Sequence, residues 1–216
     1  MRLSIPPFVM AILVATLMSA SAQTPPPQPP PGGQRPAGPP PGGPGGPGGQ
    51  GRRGMTVMTL TSTAWTDGAT IPIKYSQAGL ETSPAFAWSD VPDGTTSFVL
   101  MMRDLDAASG SGTEEILHWM LWNIPGASRA LPEGLPQATQ LPDGTRQISA
   151  TGPYYRGPGA AAAGPPHHYV FELYALDTMV DVPAVGQSPA LTRAAVLAAM
   201  SGHVRAKAVY VGLFKR

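Results

Sequence analysis

The chain contains no cysteine, which excludes a disulfide framework, a thiolate-bound zinc site and a lipidated N-terminal cysteine. Charge is almost as scarce: Asp, Glu, Lys and Arg make up 12% of the 216 residues. Arg2, Arg35, Arg52 and Arg53 precede Met55, whereas all 13 Asp and Glu follow it. From Met55 onward, 10 basic groups therefore face 13 acidic ones, a net of −3. That stretch carries no basic stripe of the kind a nucleic-acid binder shows. No apolar run reaches the roughly 20 residues that a membrane-spanning helix needs. No His-Glu-x-x-His occurs, and no Ser stands in a recognisable nucleophile motif.

Proline and glycine, by contrast, are abundant and unevenly placed. Gln23 to Gly54 holds 12 of the 27 Pro and 11 of the 26 Gly, 23 of 32 positions. Pro lacks a backbone donor and Gly is the most costly residue to order, so this stretch is expected to form a linker, not a core. Before it, Arg2 is followed by an apolar run from Phe8 to Met18 and by small residues at Ala20 and Ala22. That is the pattern of a secretory signal peptide. The expected organisation is a signal peptide over 1–22, a disordered Pro/Gly linker over 23–54 and one domain over 55–216. The expected location is exported, periplasmic or secreted, with no stable membrane anchor expected after cleavage.

Within the domain, strand signals dominate. Thr56 to Thr61 alternates with period two, and Ala85 to Trp88 is a short strand. Ser97 to Arg103, His118 to Ile124 and Tyr169 to Leu176 are near-continuous apolar runs suited to strands buried on both faces. Lys207 to Phe214 closes the chain as a last strand. Turns are marked by Asp67-Gly68, Asp93-Gly94, Glu133-Gly134 and Asp143-Gly144. One helix is convincing: Ser188 can cap it, Pro189 suits its first position, Leu191 to Met200 propagates it and Gly202 ends it.

Three clusters carry candidate chemistry, each at a strand end. Asp104 and Asp106 follow the first apolar run, where a loop could aim both carboxylates into a cleft; an ordinary solvated turn fits the spacing equally well. His118 opens the next strand behind Glu114 and Glu115, and a satisfied core histidine is its plainer role. The Gly/Pro loop from Gly157 to Pro166 runs into His167-His168-Tyr169. Alternation puts His167 and Tyr169 on one face and His168 on the other. The loop also offers backbone N–H groups to an anion.

These motifs together resemble the phosphatidylethanolamine-binding protein family, also called the Raf-kinase-inhibitor-like family, in its bacterial branch. Asp104-Leu105-Asp106-Ala107 stands for the family's Asp-Pro-Asp-Ala, and His118-Trp119 runs on to Asn123-Ile124-Pro125. Gly157-Pro158 with His167-His168-Tyr169 stands for Gly-Pro…His-Arg-Tyr, although Gly152-Pro153 is a competing match. Leu105 and His168 depart from the pattern, and the loop 159–164 is longer than usual.

The resemblance implies a mainly β, sandwich-like domain with a few peripheral helices, including one near the C-terminus. It implies a small anion pocket built from Asp104, Asp106, His118, Gly157, Pro158, His167 and Tyr169. The acids would orient the histidines, and an imidazole held by a carboxylate keeps its proton more readily. The expected partner is a small phosphorylated or anionic ligand, such as a phospholipid head group. No cofactor, resident metal, catalytic residue or nucleic-acid partner is implied. A protease-inhibitor or other interaction module docking on an envelope protein is the alternative. A metal-dependent hydrolase using the acids and histidines is a third, weaker option.

Overall fold

The computed structural model describes residues 55–109 and 114–216. The signal peptide and linker expected over 1–54 lie outside the described residues.

Six strands form the larger sheet, in the order β1 (Thr56–Val57), β9 (Val204–Phe214), β8 (His167–Leu176), β4 (Ser97–Ser109), β5 (Glu114–Pro125) and β7 (Arg146–Ile148). Among its described strand pairs only β1–β9 is parallel. A smaller antiparallel sheet pairs β2 (Thr59–Thr61), β3 (Phe86–Ser89) and β6 (Ala130–Leu131). One core lies between the sheets, where Trp65, Phe86, Phe171 and Tyr210 meet with ring centroids 4.9–6.2 Å apart. A second core lies on the far face of the larger sheet. There Val99, Met101, Met120 and Trp122 are covered by Val180, Val182 and the α1 helix (Pro189–Met200) through Val196 and Met200.

This layering explains the apolar runs. Along β4, Phe98, Leu100 and Met102 face the sandwich while Val99 and Met101 face the helix. Each such side chain, taken fully out of water, stabilises the fold by about 1.5–3 kcal/mol. The helix begins where expected: the Ser188 hydroxyl accepts from Leu191 N at 3.3 Å, and Pro189 follows it. Gly202, with φ of +84°, lies just beyond its end. Among the described residues, the expected few helices reduce to α1 and one 3-10 turn, Ile73–Tyr75.

Two local expectations are corrected. Thr56 to Thr61 is not one strand: it changes sheet at Met58, whose N–H donates to Lys207 O at 2.9 Å while its side chain enters the inter-sheet core. Asp104 and Asp106 do not lie in a loop after a strand but within β4. Its register on β5 jumps there from Asp104–Ile116 to Ala108–Glu115. The unmatched residues 105–107 form a wide bulge, a device that re-aims side chains at a sheet end.

Candidate functional site

The bulge, the first turns of β5 and β8, and the segment 156–161 enclose a depression of about 220 Å³. Its position follows from register. β8, β4 and β5 are neighbours, and Asp104 lies opposite Tyr169 on one side and Ile116 on the other. Two residues along β5 is His118, and two residues back along β8 is His167, so all four side chains share one face at one end of the sheet. Asp104, His118, His167 and Tyr169 line the depression, together with Gln77, Arg156, Gly159, Ala160 and Ala161.

Asp104 is buried, 2% exposed. Its carboxylate accepts the His167 Nδ1–H at 2.9 and 3.1 Å and the Asp106 backbone N–H at 3.0 Å. The same carboxylate stands 4.0 Å from His118 Nε2. His118 Nδ1 lies 3.0 Å from Arg156 O and 3.1 Å from Gly157 O. Carbonyls only accept, so Nδ1 carries the proton and a neutral His118 leaves a lone pair on Nε2. Tyr169 packs edge-on against His118 and stacks on His167, with centroids 5.0 and 6.5 Å away.

The electrostatics differ from the expectation that a carboxylate would keep His118 protonated. Burial lowers the His118 pKa from its ordinary value, and the hydrogen bond to Arg156 O and the Asp104 charge only partly oppose this. Burial likewise raises the Tyr169 hydroxyl far above its ordinary value, with Asp104 adding to the effect, so it keeps its proton.

The remaining expected residues play other parts. Asp106 lies outside the lining and accepts from both the backbone and the ring of His168, at 2.5 and 2.8 Å. The backbone bond, then the ring, hold its carboxyl below the ordinary range. Gly157 and Pro158 stand behind the wall: Gly157 O receives His118 and Gln77 Nε2, and Pro158 O receives Gln77 N. Gly152-Pro153 makes no such contact with His118, so the geometry favours Gly157-Pro158 as the match.

Three of the loop amides expected to greet an anion are engaged. Gly157 N donates to Glu81, and the N–H groups of Gly159 and Ala160 both donate to the Tyr169 hydroxyl at 3.2 Å. Sequence reasoning missed Gln77 and Arg156, which no motif marks. A larger cleft, about 510 Å³, lies between β5 and α1. It holds none of the expected site residues, and its Glu115 is tied to Arg103 and Arg193 at 3.1 and 3.2 Å. Among the described residues, no three His, Asp or Glu side chains converge as a set that could hold a metal.

Residues 61–215 match the family model described as phosphatidylethanolamine-binding protein. A UPF0098 protein of Methanothermobacter thermautotrophicus is 39% identical over 159 residues, covering 73% of this chain and 98% of its own length. The crystal structure of the Chlamydia trachomatis homologue CT736 superposes with a TM-score of 0.61 at 31% identity, covering 74% of this chain and 99% of that one. Escherichia coli YbcL, described as a member of the mammalian PEBP family, gives a TM-score of 0.62 at 28% identity, with coverages of 74% and 98%.

Proposed function

Because the chain belongs to the phosphatidylethanolamine-binding protein family, we propose that it is a non-enzymatic binding protein whose His118–Asp104–His167 pocket receives a small phosphate-like anion. The observation that carries this is the arrangement of the two imidazoles. Each has its Nδ1 tied inward, one to backbone carbonyls and one to Asp104, and both rings line the same depression. His167, whose Nδ1–H is taken by Asp104, offers an Nε2–H donor to an oxyanion only as the imidazolium. His118 offers one once it is protonated, and an arriving negative charge favours that step.

The depression's volume of about 220 Å³ falls below the roughly 300–1,000 Å³ of pockets that enclose drug-sized ligands. A free phosphate or a phosphorylated head group fits that scale, whereas a whole lipid does not. Export rests on the signal-peptide pattern of residues 1–22, and the Pro/Gly segment 23–54 would then form the N-terminal stretch of the mature chain ahead of the domain. N-terminal sequencing of the mature protein should begin at Gln23.

The test of the pocket is titration with inorganic phosphate and phosphoethanolamine. Charge-assisted hydrogen bonds contribute about 1.5–3 kcal/mol each, so His118→Ala and His167→Ala should each weaken binding at least about tenfold. Affinity unchanged in both variants would reject the reading.

A further inference from the structure

The 10 described Lys and Arg residues divide sharply by partner. Arg103, Arg193, Lys207, Arg205 and Lys74 each pair with a carboxylate. Arg129 and Arg146 donate to backbone carbonyls. Lys215 and Arg216 are exposed at the C-terminal end. Arg156 alone is half-buried and has no side-chain acceptor among the described residues, and it lines the same depression as His118 and His167. Its guanidinium is therefore uncommitted to any protein acceptor at the edge of the depression and open to a ligand there.

Its backbone is held against His118 on both sides. Arg156 N donates to His118 O at 3.0 Å, and Arg156 O accepts from His118 Nδ1 at 3.0 Å. The residue therefore clasps the histidine from both sides of its own Cα. Its charge reaches the imidazole, where it disfavours the protonated form.

We propose that Arg156 is the permanent cation of the pocket, its guanidinium fork taking two oxygens of the bound phosphate. This inference rests on the anion reading above and adds the residue that sets the affinity and its pH range. Arginine stays charged at every pH the protein meets and presents paired N–H donors that match two oxyanion oxygens. The groups facing His118 are Asp104 from β4, His167 and Tyr169 from β8, and Arg156 from the following segment. Of these only Arg156 brings a positive charge that does not depend on pH. Bound phosphate would supply the acceptor that the guanidinium lacks, and would also offset the repulsion that adds to burial in disfavouring the His118 cation.

The test uses the full chain, with inorganic phosphate and phosphoethanolamine as probes, from pH 6 to pH 8.5. Arg156→Gln should weaken binding of both at least about tenfold at pH 8, and less at pH 6, where His118 is closer to its protonated form. Arg156→Lys, which keeps the charge but not the fork, should fall between. Without ligand, the His118 ring should titrate at higher pH in Arg156→Gln than in wild type, a change readable by NMR. Wild-type binding that Arg156→Gln leaves unaltered at pH 8 would overturn the role of Arg156 while the anion pocket stands. Absence of phosphate and phosphoethanolamine binding by wild type across the range would overturn both.

Discussion

His167 donates its Nδ1–H to both oxygens of the Asp104 carboxylate, at 2.9 and 3.1 Å. The pair is asymmetric, because the carboxylate is buried while the ring is 27% exposed. Asp104 also receives the Asp106 amide across the bulge, so it holds both the histidine and the turn of the strand. Asp104→Ala removes an acceptor from two donors and should cost about 1–3 kcal/mol of stability. Asp106→Ala removes an exposed pair with His168 and should cost no more than about 1 kcal/mol. Urea unfolding of the two variants beside wild type measures the contrast, and equal losses would contradict it.

His118 couples stability to pH in a definite direction. Its folded pKa lies below the ordinary value of 6.5 because burial disfavours the cation. Between those two values the unfolded chain binds more protons than the folded one, so stability rises with pH through that window. The contribution is complete above the unfolded value and is lost as pH falls toward the folded one. His118→Asn keeps a side-chain donor near the two carbonyls but cannot titrate. Unfolding free energies at pH 7 and pH 5 should therefore differ less in His118→Asn than in wild type.

Much of this architecture is legible in the chain. β4, β5 and β8 show as unbroken apolar runs because each is buried on both faces. The helix shows because Ser188, Pro189 and Gly202 punctuate it locally, and turn glycines such as Gly68 and Gly144 take the positive φ their dipeptides signal. What stays hidden depends on partners far away in sequence. Met58 reads as one position in an alternating strand, and only its bond to Lys207 shows where the chain changes sheets. β7 has little hydrophobic signal, yet Gln147 is buried because it accepts from Trp119 Nε1 and donates to Pro136 O. The histidines, Asp104 and Tyr169 of the site were legible as a motif. Arg156 and Gln77 were not, since a lone cation or amide in a loop carries no periodicity.

Glu172 anchors a charged cluster on the larger sheet. It is 5% exposed and accepts from Arg103, Lys207 and the Tyr174 hydroxyl. Burial pushes its carboxyl up, but the Lys207 hydrogen bond and the charges of Arg103 and Lys207 outweigh this, and its pKa falls below the ordinary value. Removing one partner of a buried pair costs about 3–5 kcal/mol, less where the stranded charges can reach water. Lys207 and Arg103 keep 34% and 20% of their side chains exposed, so Glu172→Ala should cost about 2–4 kcal/mol. Because the folded pKa is depressed, this stability is present above the unfolded value and is lost as acid titrates the folded carboxyl. The gap between wild type and Glu172→Gln should accordingly narrow in acid unfolding experiments.

Gly157 is where the segment bearing Arg156 comes closest to the 3-10 turn. A Cβ placed there would stand 2.4 Å from Tyr75 O and 2.9 Å from the backbone of Ser76. Those are main-chain atoms held by the Tyr155 hydroxyl bond to Tyr75 O and by the turn's own hydrogen bonds, so they cannot yield cheaply. Gly157→Ala should push the segment outward, lengthen the bonds from Gly157 O to His118 and Gln77, and cost about 1–3 kcal/mol. Gly152 is the control. The three atoms nearest its Cβ would all belong to the ring of Tyr154, the closest at 2.4 Å, and that partly exposed side chain can swing away. Gly152→Ala should thus unfold close to wild type, while Gly157→Ala loses both stability and phosphate affinity. If the two glycines proved equally tolerant in thermal melts and phosphate titrations, the close approach at Gly157 would not be what fixes His118 and Arg156 in place.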